Sequence, residues 1–520
     1  MVRVAEIYIM PASSLKTRYA AKLSTNLVGL AVNMVIQAII PRGLGPKAYG
    51  DFSFLSDSFS QLMNFFSLST SIGFYTKLSQ RQGEFGLISF YFKFTGLSIL
   101  ALFIFVLGSQ LTGFSNIIWI GQSIRYVYMA AVWGTLTWLA MLVGQVADAY
   151  GLTVSTEIAR IAQRCLGLVL ILVLFFLNQL NLATFFFYHY AILLLLLLLF
   201  VWIIGRKRHS FFQDWHLGKD RIKGYINEFY EYSHPLFLYA IIGIIVGILD
   251  RWLLQKFAGS VQQGFFGLSY QIGAVCFLFT SAMTSLITRE FSIAFSKNDL
   301  GEMARLFRRY IPLLYSIAAF LGCFACVQAD KITYIFAGGK FAGATLPVMI
   351  MALYPIHQTY GQLSGSVFFA AGQTKLYRNI GLVFMLLGLP LVYFLLAPTD
   401  KMGFNTGAVG LAWKFVIIQF IAVNVQLFFN ARLLNLRFIN YFGHQILCVG
   451  FLIGVALLSK IVVGQVGVLQ NKIIIGFLLS GALYSIMVMA MVYFLPVVFG
   501  LRRDDVTRLA ASGIKMLKRY

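Results

Sequence analysis

The chain contains 520 residues, of which 59% are apolar and only 11% are charged, against about 25% charged residues in soluble domains. Its mean hydropathy is +0.80, which leaves too little polar surface to cover soluble domains and indicates one large membrane domain. The net charge of +23 would suggest a nucleic-acid partner for a soluble protein, but here the charges lie in short loops between apolar segments. No nucleic-acid partner is therefore predicted.

About 14 apolar segments are long enough to cross a bilayer, since a membrane-spanning helix needs about 20 mainly apolar residues. The first segment follows Lys16, Arg18 and Lys22 in the manner of a signal peptide, but no small-residue cleavage site precedes Pro41, so it is interpreted as a retained helix. The predicted spans are 23–40, 52–74, 87–109, 126–147, 161–178, 183–204, 235–257, 265–287, 310–329, 346–370, 379–397, 406–430, 443–463 and 473–495. The predicted fold class is an all-α polytopic membrane protein.

The distribution of basic residues orients these spans, because cytoplasmic loops hold an excess of Lys and Arg. With the N-terminus inside, 29 of the 41 Lys and Arg residues fall in cytoplasmic segments and about 10 fall outside. Both termini are therefore predicted to be cytoplasmic.

A weak internal repeat divides the chain into two similar halves. Two collinear sets of matches have nearly the same offset along the chain: Arg42, Gly45, Gly50 and Phe52 with Lys256, Gly259, Gly264 and Phe266, and Gly151, Thr153, Leu166, Gly167 and Leu168 with Gly372, Thr374, Leu387, Gly388 and Leu389. The repeat unit holds six spans, an even number, so both copies enter the membrane from the same side. The sequence therefore predicts two pseudo-symmetric six-helix lobes plus two extra C-terminal helices.

The predicted domains follow from this repeat. They are an N-terminal lobe at 1–205, a cytoplasmic linker at 206–234, a C-terminal lobe at 235–432, and two additional helices with a basic cytoplasmic tail at 433–520. Within the linker, Asp220–Tyr232 places apolar residues at helical spacing between charges, which predicts a helix lying on the inner membrane surface.

Ionisable residues inside membrane spans are costly, so each is a candidate functional residue. Lys414 lies about eight residues into its span, roughly 12 Å from the outer end and too deep for easy snorkelling. Lys93 lies nearer the inner end of its span, where snorkelling and a cavity role are both open. Arg42 and Lys47 in the first repeat, and Arg251 in the second, lie at the outer ends of equivalent spans and are predicted to face one central cationic cleft.

Two acidic residues accompany these cations. Asp57 lies in the second span, and Asp250 immediately precedes Arg251, about 100° away around the helix, so those two neighbours cannot simply neutralise each other. Each acid is a candidate for a structural ion pair or for carrying a coupling ion, and pairing is favoured for Asp250. Coupling to H⁺ or Na⁺ is left open.

The sequence predicts neither an enzyme nor a metal site. Cys165, Cys276, Cys323, Cys326 and Cys448 all lie in apolar segments, and the Cys323-x-x-Cys326 pair lacks the surroundings of a redox motif. His209, Asp214 and His216 in the linker have no fourth ligand and no helical spacing. No nucleophile with a base and no phosphate-binding loop is recognisable, so no catalytic residue and no cofactor is expected.

The segment Pro41–Gly50 (PRGLGPKAYG) resembles the R-x-L-G-x-x-x-Y-G pattern of polysaccharide flippases in the multidrug/oligosaccharidyl-lipid/polysaccharide (MOP) exporter superfamily. Asp250 and Arg251, followed by Gly259 and Gly264, are similar to the acid-base pair and loop of that family. The resemblance covers roughly residues 15 to 435. It extends to the outer segment Ile335–Ala344, where one residue is extra near Gly338, and to Ala371–Lys375.

This resemblance implies a Wzx-type flippase of the bacterial inner membrane. Such a protein moves an undecaprenyl-diphosphate-linked oligosaccharide to the outer leaflet by alternating access, for O-antigen or other surface polysaccharide. Membrane lipids and the polysaccharide polymerase machinery are further expected partners. A diphosphate in a low dielectric needs positive partners, which Arg42, Arg251 and Lys414 could supply.

Other functions within the superfamily remain open at this point. A lipid II flippase faces the same diphosphate, and charge alone does not exclude it. A cation-coupled multidrug exporter is less favoured, because only Asp57 and Asp250 are strong candidates for deep acidic residues. A membrane polymerase or ligase that joins sugars belongs to a different class of protein and is also less favoured, because the longest predicted outer loop has only about 16 residues.

Overall fold

Long apolar segments with few helix-breaking residues form helices here, because a chain in a bilayer must satisfy its backbone hydrogen bonds internally. The computed structural model describes residues 15–67, 70–81, 84–207, 216–465, 472–501 and 503. Its α-helices are α1 (Leu15–Ser67), α2 (Thr70–Gln80), α3 (Phe85–Leu111), α4 (Ser115–Ile118), α5 (Ile124–Ala149), α6 (Thr153–Phe176), α7 (Leu182–Lys207), α8 (Lys219–Val275), α9 (Leu278–Ser296), α10 (Leu300–Val327), α11 (Ala329–Ala337), α12 (Thr345–Met351), α13 (Tyr354–Ala370), α14 (Thr374–Leu396), α15 (Gly407–Leu433), α16 (Phe438–Gly464) and α17 (Ile473–Phe494).

The predicted fold class is confirmed: the chain is an all-α multi-pass membrane protein. Within the described ranges, 11 helical segments are long and apolar enough to cross a membrane. Where it is described, each predicted span lies mainly on helical structure, although α1 and α8 each carry one predicted span completely and only part of the next.

Two of these long helices share a kink at equivalent positions. Gly45 in α1 has φ 74° and ψ 170°, and Gly259 in α8 has φ 76° and ψ −177°. These backbone angles lie in a region that is open to glycine and strained for other residues. Gly45 and Gly259 are also matched in the internal repeat, so the repeat found in the sequence coincides with a repeated backbone feature.

The chain forms two compact units. Unit 1 comprises the chain up to Leu44 together with Asp51–Trp252, and unit 2 comprises Gly45–Gly50 together with Leu253–Tyr520. The predicted linker 206–234 lies within unit 1, and the predicted boundary at 432/433 lies within unit 2. The four predicted domains therefore stay a prediction.

Unit 1 has a core at one end of its helices. Buried side chains from α2, α3, α5 and α7 meet there, and Tyr225 and Phe229 from the first turns of α8 join them. The sequence predicts a surface helix in this part of the linker, and the helix is present. Its apolar side chains are divided, because Tyr225 and Phe229 are buried in the protein whereas Ile226 and Tyr230 are exposed.

Unit 2 has its largest core between α9, α10, α13, α15, α16 and α17. In the most apolar stretch of α10, 56% of the residues are buried, against 22% for α17. Leu478, Met489 and Tyr493 of α17 are exposed, as expected for side chains that face lipid rather than water. The two C-terminal helices thus pack onto α10 along one side of unit 2.

Candidate functional site

An ion pair in unit 1 joins two of the predicted site residues. Arg251 Nε lies 3.7 Å from Asp57 Oδ2, with 11% of the arginine side chain and 31% of the aspartate side chain exposed. Asp57 comes from α1 and Arg251 from α8, so the pair links two helices inside the apolar part of the chain. Arg251 is therefore partly neutralised within unit 1, which the sequence could not show.

The helices approach closely beside this pair. A Cβ atom on Gly247, one turn before Arg251, would lie 3.1 Å from Gln61 Nε2. Trp252, the next residue after Arg251, donates a hydrogen bond from Nε1 to the carbonyl oxygen of Ile117 at 2.8 Å. These contacts fix the direction in which α8 presents the guanidinium.

The other predicted residues of unit 1 differ from this ion pair in burial. Asp250 is buried, with 3% of its surface exposed. Arg42 is exposed on α1, three residues before the kink at Gly45, and Lys93 is half-buried on α3. Asp57 and Arg251 thus form an ion pair within unit 1.

Lys414 is a deeply buried cation of unit 2. It lies on α15 with 6% of its surface exposed, and its Nζ is 4.8 Å from the ring centroid of Phe415. A Cβ atom on Gly388 of α14 would lie 2.9 Å from Lys414 Cε, so the absence of a side chain at Gly388 makes room for the lysine. At the matching glycine of the repeat, Gly167, a Cβ atom would instead lie 3.2 Å from the hydroxyl oxygen of Tyr188.

Lys47 lies in the part of α1 that belongs to unit 2, and it is exposed, as is Lys256 close to the equivalent kink. Near these two lysines, the backbone of α1 and the backbone of α8 are in close contact at two equivalent points. A Cβ atom on Gly50 would overlap the carbonyl oxygen of Ser260, and a Cβ atom on Gly264 would overlap that of Pro46. The repeat that matches Gly50 with Gly264 also aligns Pro46 with Ser260, so this contact is pseudo-symmetric.

The sequence interpretation missed a polar network beside the start of α8 in unit 1. Lys77 Nζ lies 2.6 Å from Glu228 Oε1, and Arg81 also pairs with Glu228. Arg81 Nη1 donates to Glu84 Oε2 at 3.1 Å, and the Tyr225 hydroxyl donates to Glu84 Oε1 at 2.6 Å. The network fastens the start of α8 to the segment between α2 and α3.

This network changes the acidity of Glu228. Burial raises the pKa of its carboxyl. Hydrogen bonds from Lys77 and Arg81, and the positive charges of the same two residues, lower the pKa by more than burial raises it, so the pKa lies below its ordinary value. A signal for the pairing exists in the sequence, since Lys77 and Arg81 are four residues apart and lie on one helical face. Their partner is far away along the chain and could not be identified from spacing.

The structure describes part of the linker cluster of His209, Asp214 and His216. His216 is exposed, whereas His209 and Asp214 lie outside the described residues. No group of three or more His, Cys, Asp or Glu side chains that could hold a metal ion occurs in the described ranges.

No protein-family model matches this chain, and no curated protein matches it by sequence. Solved structures do match. The lipid II flippase MurJ in an inward closed conformation has a TM-score of 0.61 and 14% identity, and the match covers 92% of this chain and 99% of MurJ.

Two further solved structures belong to the same superfamily. A multidrug resistance MATE family transporter in an inward-facing conformation has a TM-score of 0.56 and 13% identity, with 78% of this chain and 94% of the transporter covered. A MOP superfamily transporter from Pyrococcus furiosus, described as having a binding pocket of reverse polarity, has a TM-score of 0.51 and 14% identity, with 81% and 96% covered. The chain therefore has the fold of MOP superfamily transporters.

Proposed function

We propose that this chain is a Wzx-type flippase that moves an undecaprenyl-diphosphate-linked oligosaccharide across the inner membrane by alternating access. The observation that carries the proposal is the burial of Lys414 among the apolar helices of unit 2. An ammonium group in a low dielectric attracts anions strongly, and a diphosphate is such an anion. The fold of a superfamily that includes a lipid II flippase supports a transport function.

The cationic residues have different roles in this proposal. Lys414 contacts the diphosphate in unit 2, while Arg251 supplies positive charge in unit 1 with Asp57 holding its guanidinium in place. Arg42 and Lys47, which are exposed, attract the anionic head group, and Lys93 does so nearer the inner end. Asp250 is proposed to be structural. No step of bond making is involved, so the chain is proposed not to be an enzyme.

Lipid II transport is the second candidate, and one observation favours it. The match to MurJ extends over 92% of this chain, whereas the match to the MATE transporter extends over 78%. Lipid II also carries a diphosphate, so Lys414 would serve either cargo. A multidrug exporter is disfavoured by sign, because buried Lys and Arg residues raise the energy of a cationic drug.

The test uses the purified full-length protein in vesicles. A labelled undecaprenyl-diphosphate oligosaccharide, labelled lipid II and a cationic dye are supplied separately, and the transfer of each between leaflets or across the membrane is measured. We expect the oligosaccharide to become accessible in the opposite leaflet fastest. Faster transfer of lipid II would support the second candidate, and dye efflux without any lipid transfer would contradict both.

The proposed location has its own test. Reporter fusions after Arg208 and Tyr520 should be cytoplasmic, and a fusion after Gly259 should be external, because 29 of the 41 basic residues then lie inside. An external C-terminus would contradict the 14-span topology.

A further inference from the structure

Three aromatic side chains of unit 2 meet beside the buried cation Lys414. The ring centroid of Phe415 on α15 lies 6.4 Å from that of Tyr270 on α8 and 5.6 Å from that of Tyr354 on α13, and both pairs meet edge to face. Tyr270 keeps 43% of its surface exposed, while Phe415 and Tyr354 are half-buried. Because Lys414 Nζ lies only 4.8 Å from the centroid of Phe415, the cation and the rings adjoin. We name Tyr270, Tyr354 and Phe415 the aromatic platform.

Close helix packing holds the platform in place. A Cβ atom on Gly273 of α8 would lie 2.9 Å from the carbonyl oxygen of Met351, so α8 lies directly against the end of α12, and α13 begins at Tyr354 just beyond it. Phe266, on α8, is buried, and its ring centroid lies 5.6 Å from that of Phe415. The three rings are therefore fixed by contacts among three helices, which limits their freedom to reorient.

Amide side chains continue the surface away from the platform. Gln358 and Gln362 follow Tyr354 at intervals of four residues and are half-buried on the same face of α13. The Tyr354 hydroxyl donates to Gln358 Oε1 at 3.4 Å. Gln419 of α15 reaches the same helix, since a Cβ atom on Gly361 would lie 2.9 Å from Gln419 Nε2. We name Gln358, Gln362 and Gln419 the amide surface, and each of them carries both hydrogen-bond donors and an acceptor.

Polar neighbours indicate that this side of unit 2 borders water and not lipid. Gln271, the residue after the platform tyrosine of α8, is exposed within the predicted span 265–287. Further along the same predicted span, half-buried Thr284 donates from Oγ1 to Gln362 Oε1 at 3.2 Å. The exposed residues of α17 include Leu478 and Met489, which suit a lipid-facing surface. An exposed amide in contact with hydrocarbon would be costly, so the side that carries Gln271 is accessible to polar molecules.

The charges of these helices are unevenly placed along the membrane normal. Helix α13 contains no Asp, Glu, Lys or Arg, and α15 contains only Lys414 and, in its last turn, Arg432. At 1.5 Å per residue, Lys414 and Tyr354 both lie about 12 Å from the predicted outer ends of their spans, Gln358 about 18 Å and Gln362 about 24 Å. One positive charge is therefore followed by neutral aromatic and amide groups. This order matches a ligand that is anionic at one end and neutral and hydroxyl-rich beyond it.

We infer that the aromatic platform and the amide surface form a sugar-binding site for neutral pyranose residues attached to a diphosphate, an inference that rests on the proposed function. The first sugar stacks on the exposed ring of Tyr270 while Lys414 contacts the diphosphate. A pyranose ring has apolar faces of C–H groups, which pack on an aromatic face, and hydroxyl groups, which need both donors and acceptors. The exposed tyrosine supplies the first kind of contact, and the glutamine amides supply the second.

The test measures binding and compares lipids that differ by one sugar. Full-length protein in detergent micelles is titrated with undecaprenyl diphosphate, and with the same lipid carrying N-acetylglucosamine or galactose, and the bound fraction is measured by native mass spectrometry. We expect the wild type to bind at least one glycosylated lipid more tightly than undecaprenyl diphosphate, by about two- to tenfold for a single aromatic contact. Tyr270→Ala should abolish this difference, and Tyr270→Phe should keep it, because stacking uses the ring face and not the hydroxyl.

Three further variants separate the sugar contact from the diphosphate contact. Lys414→Ala should weaken the binding of all three lipids and keep the difference between glycosylated and unglycosylated forms, because it removes only the contact that they share. Gln358→Leu should reduce that difference, because it removes an amide with little change in size. Tyr493→Ala is the matched control for Tyr270→Ala, since Tyr493 is an exposed tyrosine on α17, and it should change neither quantity.

The outcomes distinguish this site from the proposed function. Equal binding of all three lipids by the wild type would overturn the sugar site and leave the proposed function in place. The same holds if Tyr270→Ala weakens glycosylated and unglycosylated lipids by one common factor, or weakens neither. Should Tyr270→Ala fail to fold, Gln358→Leu decides by the same criterion. A wild-type protein that binds none of the three lipids would contradict the proposed function itself.

Discussion

Arg251 Nε lies 3.7 Å from Asp57 Oδ2, and this ion pair between α8 and α1 gives Arg251 two separable roles. The arginine can bind an anionic cargo, or it can merely compensate Asp57. If it binds cargo, Arg251→Ala lowers transport, and the double variant Asp57→Asn with Arg251→Ala stays defective. If it only compensates Asp57, removing both charges restores transport.

The same variants measure the strength of the pair. Breaking a largely buried pair leaves one charge uncompensated, and coupling energies between contacting residues are about 0.5 to 3 kcal/mol. We expect a coupling energy in that range from thermal unfolding, in detergent, of the wild type, Asp57→Asn, Arg251→Ala and the double variant. A coupling near zero would mean that the two side chains do not interact in solution.

The second prediction concerns Lys414. Lys414→Ala should reduce transport while leaving membrane insertion intact, and Lys414→Arg should retain more activity if the contact is a point charge. Gly388→Ala should also lower transport, because the new Cβ would lie 2.9 Å from Lys414 Cε and displace the side chain.

Gly167→Ala is the matched control for Gly388→Ala. Gly167 occupies the equivalent position of the repeat, but a Cβ atom there would lie 3.2 Å from the Tyr188 hydroxyl oxygen and not beside a lysine. We expect it to affect transport less. Normal transport by both Lys414→Ala and Arg251→Ala would exclude these two residues as the cargo contacts.

The third prediction concerns the reciprocal glycine contact. Gly50→Ala and Gly264→Ala should each destabilise the protein by about 1 to 3 kcal/mol, because a methyl group would overlap the Ser260 or Pro46 carbonyl oxygen and rigid backbone would have to move. Gly443→Ala on α16 is the control, since nothing outside the local backbone of its own helix lies within 4 Å of its Cβ position. Thermal unfolding in detergent measures the difference, and equal stability of all three variants would contradict the contact.

The repeat shows which features of the fold can be predicted from the sequence and which cannot. Hydropathy predicts the helices because a bilayer requires long apolar segments, and the constant offset of the first set of matches identifies Gly45 with Gly259 and Gly50 with Gly264. The reason for these glycines becomes visible only in three dimensions, where two of them have positive φ and the other two face a carbonyl oxygen. Glycine is too common in this chain for spacing alone to reveal which ones are constrained.

The partners of individual side chains could not be predicted from the sequence, for a related reason. Asp57 and Arg251 are both recognisable as ionisable residues in apolar segments, but they lie on different helices far apart in the chain, and nothing in their spacing joins them. Tyr225 and Phe229 have the helical spacing of a membrane-surface face, and the sequence cannot show that they are instead buried against the protein. The periodicity of the sequence identifies the apolar face of a helix, but only the folded structure shows whether protein or lipid covers that face.

The fourth prediction concerns pH and the Lys77–Glu228–Arg81 network. The folded pKa of Glu228 lies below 4.5, the ordinary value for its carboxyl, because the hydrogen bonds and charges of Lys77 and Arg81 outweigh the effect of burial. The carboxylate therefore stabilises the folded protein above about pH 4.5, and this contribution is lost as the pH falls through the lower folded value. Glu228→Gln should unfold more easily than wild type at pH 7, by about 1 kcal/mol for a partly exposed network.

The difference between Glu228→Gln and wild type should shrink as the pH is lowered below about 4.5, because the wild-type carboxyl then becomes protonated and loses both ion pairs. Glu231→Gln is the matched control, since Glu231 is exposed on the same helix only three residues away, and it should change stability little at either pH. Thermal unfolding of the three full-length proteins in detergent, from pH 7 to pH 4, provides the measurement. A Glu228→Gln deficit that is the same at both ends of this range would show that the loss arises from packing rather than from the charge of Glu228, and the network would then not fasten α8 electrostatically.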